Sequence, residues 1–269
     1  MINITATTEL FSVLGFSFQT WGSLVALGII IGLIFMLIEA RKRKLADKVE
    51  GILVFMMVSG LIFGRLAYIL VNLSQFPTFY SWFELWEGGI ISWGVLIGIV
   101  IGIFIFKLIS RIKTEEILEI ADLMAPYLIL AIAIGRIGCF LRGCCYGIPT
   151  SLPWGVVYTG GFSEGAVHPA QLYHSIADFI IFFVLLKLYG KKRKLRQHNA
   201  KSRFSFFNTS GTIFLMFLML YSAERFFIDF LRFHPSNEYY IIFSVTQWIF
   251  LAIFIVASVM LKIKEKKKK

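Results

Sequence analysis

The chain has 269 residues, of which 58% are hydrophobic and 16% charged, and its mean hydropathy is +0.77. Water-soluble domains carry about a quarter charged residues, so a soluble fold is excluded. The formal net charge of +11 raises nucleic acid as a partner, but its distribution excludes that as well: apart from Arg65, Arg136, Arg142, Arg225 and Arg232, every Lys and Arg falls in four clusters, at 41–48, 107–113, 187–203 and 262–269. Each cluster flanks an apolar run, the positive-inside pattern of cytoplasmic loops, with a further attraction to anionic headgroups.

Apolar runs long enough to cross a bilayer, which takes about 20 helical residues, recur along the chain. Seven spans fit, at roughly 20–40, 51–71, 88–108, 117–141, 168–188, 209–232 and 239–262. The expected fold is an all-α integral membrane protein: a bundle of seven transmembrane helices forming one polytopic domain over residues 1–269. With the basic clusters inside, the N-terminus lies outside and the C-terminus is cytoplasmic. The first twenty residues contain no Lys or Arg and so lack the basic start of a signal peptide; no cleavage is expected.

In the first span the small residues Gly22, Ala26, Gly28 and Gly32 fit close helix packing. The second contains G-R-L-A-Y at 64–68, where Arg65 and Tyr68 share a helix face. Arg65 either snorkels to the headgroups or binds a ligand. The aromatic-rich stretch 72–87 suits an interfacial segment. The third span opens E-G-G-I-I-S-W-G, and Gly94, Gly98 and Gly102 leave one face nearly bare, either for close helix contact or as a groove for an acyl chain. In the fourth, Glu119 and Asp122 lie near the cytoplasmic end, where partial hydration makes them tolerable, and Pro126 interrupts the helix hydrogen bonding.

Residues 135–147 read G-R-I-G-C-F-L-R-G-C-C-Y-G, with Arg136 near the outer end of the fourth span and all three cysteines of the chain. The glycines beside Arg136 would let a lipid headgroup approach. Residues 142–167, dense in Gly and Pro, form a small irregular outer-face loop region or short strands. The fifth span starts H-P-A-Q-L-Y-H, and His174 and Asp178 stand one turn apart, in reach of a hydrogen bond. The basic run at 187–203 requires no partner beyond lipid headgroups. In the sixth span Tyr221, Arg225, Asp229 and Arg232 form one polar stripe, Arg225 placed to pair with Asp229 and Glu224 pointing elsewhere. The seventh contributes only Gln247 and Trp248 among polar or interfacial residues before its basic tail.

Charge within hydrocarbon is costly and generally functional, and all five outlying basic residues are arginine, which binds phosphate in a planar, bidentate way. Arg136 and Arg225, with Arg65 and Arg232, are expected to build a cationic pocket for a phospholipid phosphate. Cys139, Cys144 and Cys145 match no zinc spacing; a Cys139–Cys144 disulfide or simple packing is expected.

In this order the motifs resemble those of the bacterial phosphatidylglycerol:prolipoprotein diacylglyceryl transferases: G-R-L-A-Y at 64–68, E-G-G-I-I-S-W-G-V-L-I-G at 87–98, G-R-I-G-C-F-L-R-G-C-C-Y-G at 135–147, H-P-A-Q-L-Y at 168–173 and Y-x-x-x-R-F-x-I-D-F-x-R at 221–232. The resemblance spans nearly the full length. It implies transfer of a diacylglyceryl group from phosphatidylglycerol to the lipobox cysteine of a prolipoprotein, in a bacterial plasma membrane, at a site facing the outer leaflet and without cofactor or metal. Arg136 and Arg225 match the family's principal arginines, and with Tyr221 they are the implied catalytic residues. Arg65, Tyr68, Arg232, Asp229, Gly138, Gly147, His168 and Gln171 are the implied substrate-binding residues. The chain departs from the pattern at Trp93, where a histidine is usual, at Cys139 for asparagine, at Trp21 for tyrosine and at His174 for glutamate. Trp93 leaves open a re-specialised or inactive phospholipid-binding paralogue; an anion or lipid transporter is the alternative from another class. The proton acceptor for the substrate thiol is open among His168, His174 and Tyr221.

Overall fold

The computed structural model describes residues 2–13, 16–73, 76, 80, 82, 89–159, 163, 165–197, 205–234 and 239–266. Seven helices follow one another: α1 (Thr20–Lys42), α2 (Ala46–Val71), α3 (Ser92–Ser110), α4 (Thr114–Arg142), α5 (Ala170–Gln197), α6 (Thr212–Asp229) and α7 (Val245–Lys266). All but α6 are long and apolar enough to cross a membrane. Helix α6 spans 18 residues and carries Glu224, Arg225 and Asp229, so it depends on internal partners rather than on lipid contact.

Six short strands accompany the helices among the described residues. Strand β1 (Ile2–Thr5) pairs in parallel with β4 (Val156–Thr159), while β2 (Glu9–Val13) and β3 (Phe16–Gln19) form a hairpin. Strands β5 (Tyr239–Tyr240) and β6 (Phe243–Ser244) form a second hairpin, so α7 begins six residues later than the apolar run predicts. Its start is fixed by a capping box: the Ser244 N–H donates to Gln247 Oε1 at 2.9 Å, and the Gln247 N–H donates to Ser244 Oγ at 3.1 Å. The irregular loop expected at 142–167 thus holds a strand, closed over Val156, Tyr158 and Val167, with Ile4 and Phe140 packed against them. Most of the aromatic segment 72–87 lies outside the described residues.

The chain divides into two compact units, Leu37–Ile120 and the remainder. In the Leu37–Ile120 unit α2 packs against α3 through the glycine face. A Cβ at Gly94 would lie 2.6 Å from the Phe63 carbonyl oxygen, and one at Gly98 or Gly102 would overlap the Ser59 carbonyl or hydroxyl. Close helix contact is therefore the use of that face at Gly94 and Gly98, while Gly102 also borders an apolar pocket with Phe55, Ser59 and Ile105.

In the other unit α1 meets α4 in the same manner, with Gly28 against the Ala131 carbonyl and Gly32 against that of Tyr127. Asp122 is 1% exposed, not hydrated as its sequence position implied. Its carboxylate accepts the N–H groups of Gly211 (2.7 Å) and Phe214 (2.8 Å) at the start of α6 and pairs with Lys192 of α5. One buried carboxylate thus satisfies orphan donors of α6 and neutralises an ammonium. The basic run of α5 has a partner inside the protein after all.

Candidate active site

Arg136 lies near the C-terminal end of α4, at the head of an apolar cleft of about 550 Å³. Trp21, Val25 and Ile29 of α1 and Leu128, Ala131 and Ile132 of α4 form the body of the cleft, and Arg136, Cys139, Arg142, Cys144 and Cys145 its polar end. Gly138 is filled by α1, since a Cβ there would lie 3.0 Å from Leu24 Cβ and 3.3 Å from the Trp21 backbone. Gly135 lines the cleft, with Val25 Cγ2 3.2 Å from where its Cβ would lie.

Among the described residues Arg136 forms no hydrogen bond or ion pair. Its charge is within interaction range of Tyr221, Asp178 and Arg225. Two like charges brought together in a poorly solvated place repel, and an anion bridging them relieves that cost.

Arg225 is 6% exposed and does not pair with Asp229. Its Nη1 lies 3.2 Å from His174 Nε2, its guanidinium stacks 5.3 Å from the Phe250 ring centre, and its Nε is buried without a hydrogen-bond partner among the described residues. His174 Nδ1 is hydrogen-bonded to Glu224 Oε1, so His174 does not bond to Asp178 and Glu224 does not point elsewhere. Asp178 is fully buried and neither of its oxygens has a hydrogen-bond partner among the described residues. Tyr221 stacks on Phe217 and meets Phe250 edge-on, which fixes its ring.

Asp229 turns instead to the start of α7. It accepts the Ser244 hydroxyl at 2.6 Å, lies 3.0 Å from His234 Nε2, and is 3.9 Å from Arg232 Nη1. Because Ser244 also caps α7, Asp229 ties that helix to α6. Arg232 reaches Cys145 Sγ through Nη2 at 3.8 Å.

The three cysteines are free thiols; the disulfide alternative is not realised. The Cys145 thiol is pulled down by hydrogen bonds from Cys139 and Cys144, with the Arg232 charge adding to the effect, and Cys144 is pushed up by its own thiol hydrogen bonds. Cys145 also has φ +62°, in the left-handed region. No cluster of three or more His, Cys, Asp or Glu residues that could hold a metal ion occurs among the described residues.

The remaining expected site residues are built into the scaffold. Gln171 is fully buried and donates to the Cys144 carbonyl (2.7 Å) and Tyr158 hydroxyl (3.3 Å), pinning the cysteine loop. Gly147 donates to the His168 carbonyl at 2.8 Å, and a Cβ there would overlap the Leu231 carbonyl and lie 2.6 Å from His168 Cβ. The His168 ring is 3.2 Å from the Tyr173 hydroxyl. In the Leu37–Ile120 unit Arg65 is buried, donating from Nε to the Trp82 carbonyl (3.1 Å) and stacking on Tyr68 and Phe76. It therefore does not snorkel. Trp93 of α3 is 52% exposed.

Sequence reasoning missed Glu224, His234 and Ser244. The signals were present: a carboxylate adjoining an arginine inside an apolar helix, and S-x-x-Q opening another.

Residues 8–263 match the family model described as prolipoprotein diacylglyceryl transferase. The phosphatidylglycerol–prolipoprotein diacylglyceryl transferase of Clostridium tetani is 31% identical over 251 residues, covering 92% of this chain and 93% of the relative. The enzyme of the same name from Clostridioides difficile is 34% identical over 224 residues, 82% of each chain, and that of Finegoldia magna 30% over 259 residues, 96% of this chain and 95% of the relative. With the match running through every motif from the N-terminal hairpin to the last helix, the chain belongs to the prolipoprotein diacylglyceryl transferase family.

Proposed function

We propose that the protein transfers the diacylglyceryl group of phosphatidylglycerol to the lipobox cysteine thiol of prolipoproteins, forming a thioether and releasing glycerol phosphate. The observation that carries this reading is Arg136, which has no hydrogen-bond or ion-pair partner among the described residues and lies at the head of an apolar cleft between α1 and α4. An acyl chain fits the apolar walls, and the phosphate that must follow it meets a guanidinium able to bind two of its oxygens.

In the step itself, the substrate sulfur attacks the carbon of the diacylglyceryl group that is esterified to phosphate. That carbon–oxygen bond breaks, and its electron pair leaves with the phosphate. The leaving oxygen gains charge in the transition state, where Arg136 and Arg225 stabilise it more than they stabilise the bound lipid. Tyr221, ringed by Phe217 and Phe250, lies within charge range of both arginines. The thiol proton ends on the released glycerol phosphate, directly or through a site group.

The basic clusters support a topology with the N-terminus outside a bacterial plasma membrane and the site towards the outer leaflet, where secreted prolipoproteins are available. Membranes containing the protein are expected to move a labelled glyceryl group from phosphatidylglycerol to a lipobox peptide. Binding of phosphatidylglycerol without transfer would make the chain a re-specialised relative, and anion flux into proteoliposomes would make it a transporter.

A further inference from the structure

The interior of the Arg136 unit contains, bonded in line to Arg225, two further side chains from two helices that the proposed reaction does not require by itself. Glu224 of α6 bonds His174 Nδ1 of α5, and His174 Nε2 faces Arg225 Nη1 of α6 at 3.2 Å. The side chains of His174 and Glu224 are 2% and 5% exposed. Bulk water does not compete for these bonds.

Donor and acceptor roles follow from chemistry. A guanidinium has only donors, so the nitrogen facing Arg225 must accept. His174 is then the neutral tautomer with its proton on Nδ1, and that proton is donated to the Glu224 carboxylate. A protonated His174 would put an N–H against the guanidinium. A direct Glu224–Arg225 pair would occupy two N–H groups of the fork; the interposed ring takes one.

We infer that Glu224 and His174 are positioning residues for Arg225: Glu224 fixes the His174 tautomer, and His174 holds one edge of the guanidinium so that its other N–H groups, among them the unpartnered Nε, are presented to the phosphate of a bound phospholipid. The identity of that phosphate rests on the function proposed above; the tautomer does not. Neither residue touches the reacting atoms.

The test joins a spectroscopic readout to kinetics. In the full-length protein, purified in micelles and labelled with 15N-histidine, His174 is assigned by its loss in His174→Gln. The expected spectrum has Nδ1 protonated and Nε2 bare near neutral pH. Glu224→Gln, which keeps the acceptor and removes the charge, retains that tautomer, whereas Glu224→Ala loses it. In the transfer assay Glu224→Ala lowers kcat about 10- to 100-fold, with the KM for phosphatidylglycerol changed about 3-fold or less, as expected when a bound group is misaligned by a fraction of an ångström. Glu224→Gln falls between Glu224→Ala and wild type.

A wild-type His174 carrying its proton on Nε2 overturns the inference, because Arg225 could not then donate to it. So does a Glu224→Ala variant that loses the tautomer but keeps full kcat. A wild-type protein with the expected tautomer and no transfer overturns the transferase reading and supports the Glu224–His174–Arg225 geometry. The two failures are therefore distinct.

Discussion

Replacing Asp122 with alanine should destabilise the protein far more than a typical point change. Its carboxylate is 1% exposed, accepts the Gly211 and Phe214 N–H groups that open α6, and pairs with Lys192, itself 4% exposed. Removing one partner of a buried ion pair costs about 3–5 kcal/mol, because the other charge stays in a poorly solvated place. Losing the N-terminal acceptor of a helix costs about a further 1 kcal/mol. At a few degrees per kcal/mol for a protein of this size, the apparent melting temperature in micelles should fall on the order of 10 °C.

The double variant Asp122→Ala with Lys192→Met separates the two terms. It removes the ammonium left without its carboxylate, at the cost of the cap and of the Lys192 hydrogen bond to the Thr209 carbonyl (2.7 Å), so it should still recover about 1 kcal/mol or more relative to Asp122→Ala alone. Thermal unfolding followed by tryptophan fluorescence reads both variants. A single variant that melts within about 2 °C of wild type, or a double variant no more stable than the single, would refute the reasoning. The effect bears on function because α6, whose first turn Asp122 anchors, is the helix that holds Arg225.

Three further outcomes follow from named contacts. Gly94→Val drives a side chain into the Phe63 carbonyl, 2.6 Å from where its Cβ must lie, and should cost about 1–3 kcal/mol through displacement of α3 from α2, measured by thermal unfolding. The Cys145 thiol is pulled down by hydrogen bonds from Cys139 and Cys144, with the Arg232 charge adding to the effect. Its alkylation by iodoacetamide should therefore stay nearly flat between about pH 6 and pH 8, followed by peptide mass spectrometry. An ordinary thiol would react about tenfold faster per pH unit over that range, and Cys144, pushed up, should barely react. Gln171→Leu removes the donor to the Cys144 carbonyl and Tyr158 hydroxyl; it should cost about 1–3 kcal/mol and raise proteolysis in the loop that follows Arg142.

The helices were legible because apolar length is a local signal, and each of the seven expected spans overlaps an observed helix. The ends were read less well where local chemistry outweighs hydropathy. The apolar run at 239–244 continues into α7, yet Ser244 and Gln247 start the helix only at Val245, and the preceding residues turn back as a hairpin. Strand β1 carries no local sign of its partner, since the pairing joins residues about 150 positions apart, and its four residues give too short a pattern to register.

The site was legible as a set of arginines but not as a set of bonds. Helical spacing put Arg225 with Asp229 and His174 with Asp178, and both pairings are replaced by contacts between helices. Arg225 meets His174, His174 meets Glu224, and Asp229 meets Ser244. The spacing rule finds neighbours on one helix; it contains nothing about which residue a second helix delivers to the same place. Gly138 misled for a similar reason, since an opening for a ligand and an opening for a packed helix look alike in sequence, whereas Gly135 does line the cleft.

The central claim is that Arg136 binds the lipid phosphate at the head of the cleft, and one measurement addresses it most directly. Wild type, Arg136→Ala and Arg136→Lys, brought to equal amounts of folded protein, are compared for transfer of labelled glyceryl from phosphatidylglycerol to a lipobox peptide. Wild type should transfer. Arg136→Ala should lose about 100-fold or more, and Arg136→Lys should recover little, because an ammonium offers a point charge where the phosphate needs a planar fork. Transfer by Arg136→Ala at the wild-type rate would contradict the account.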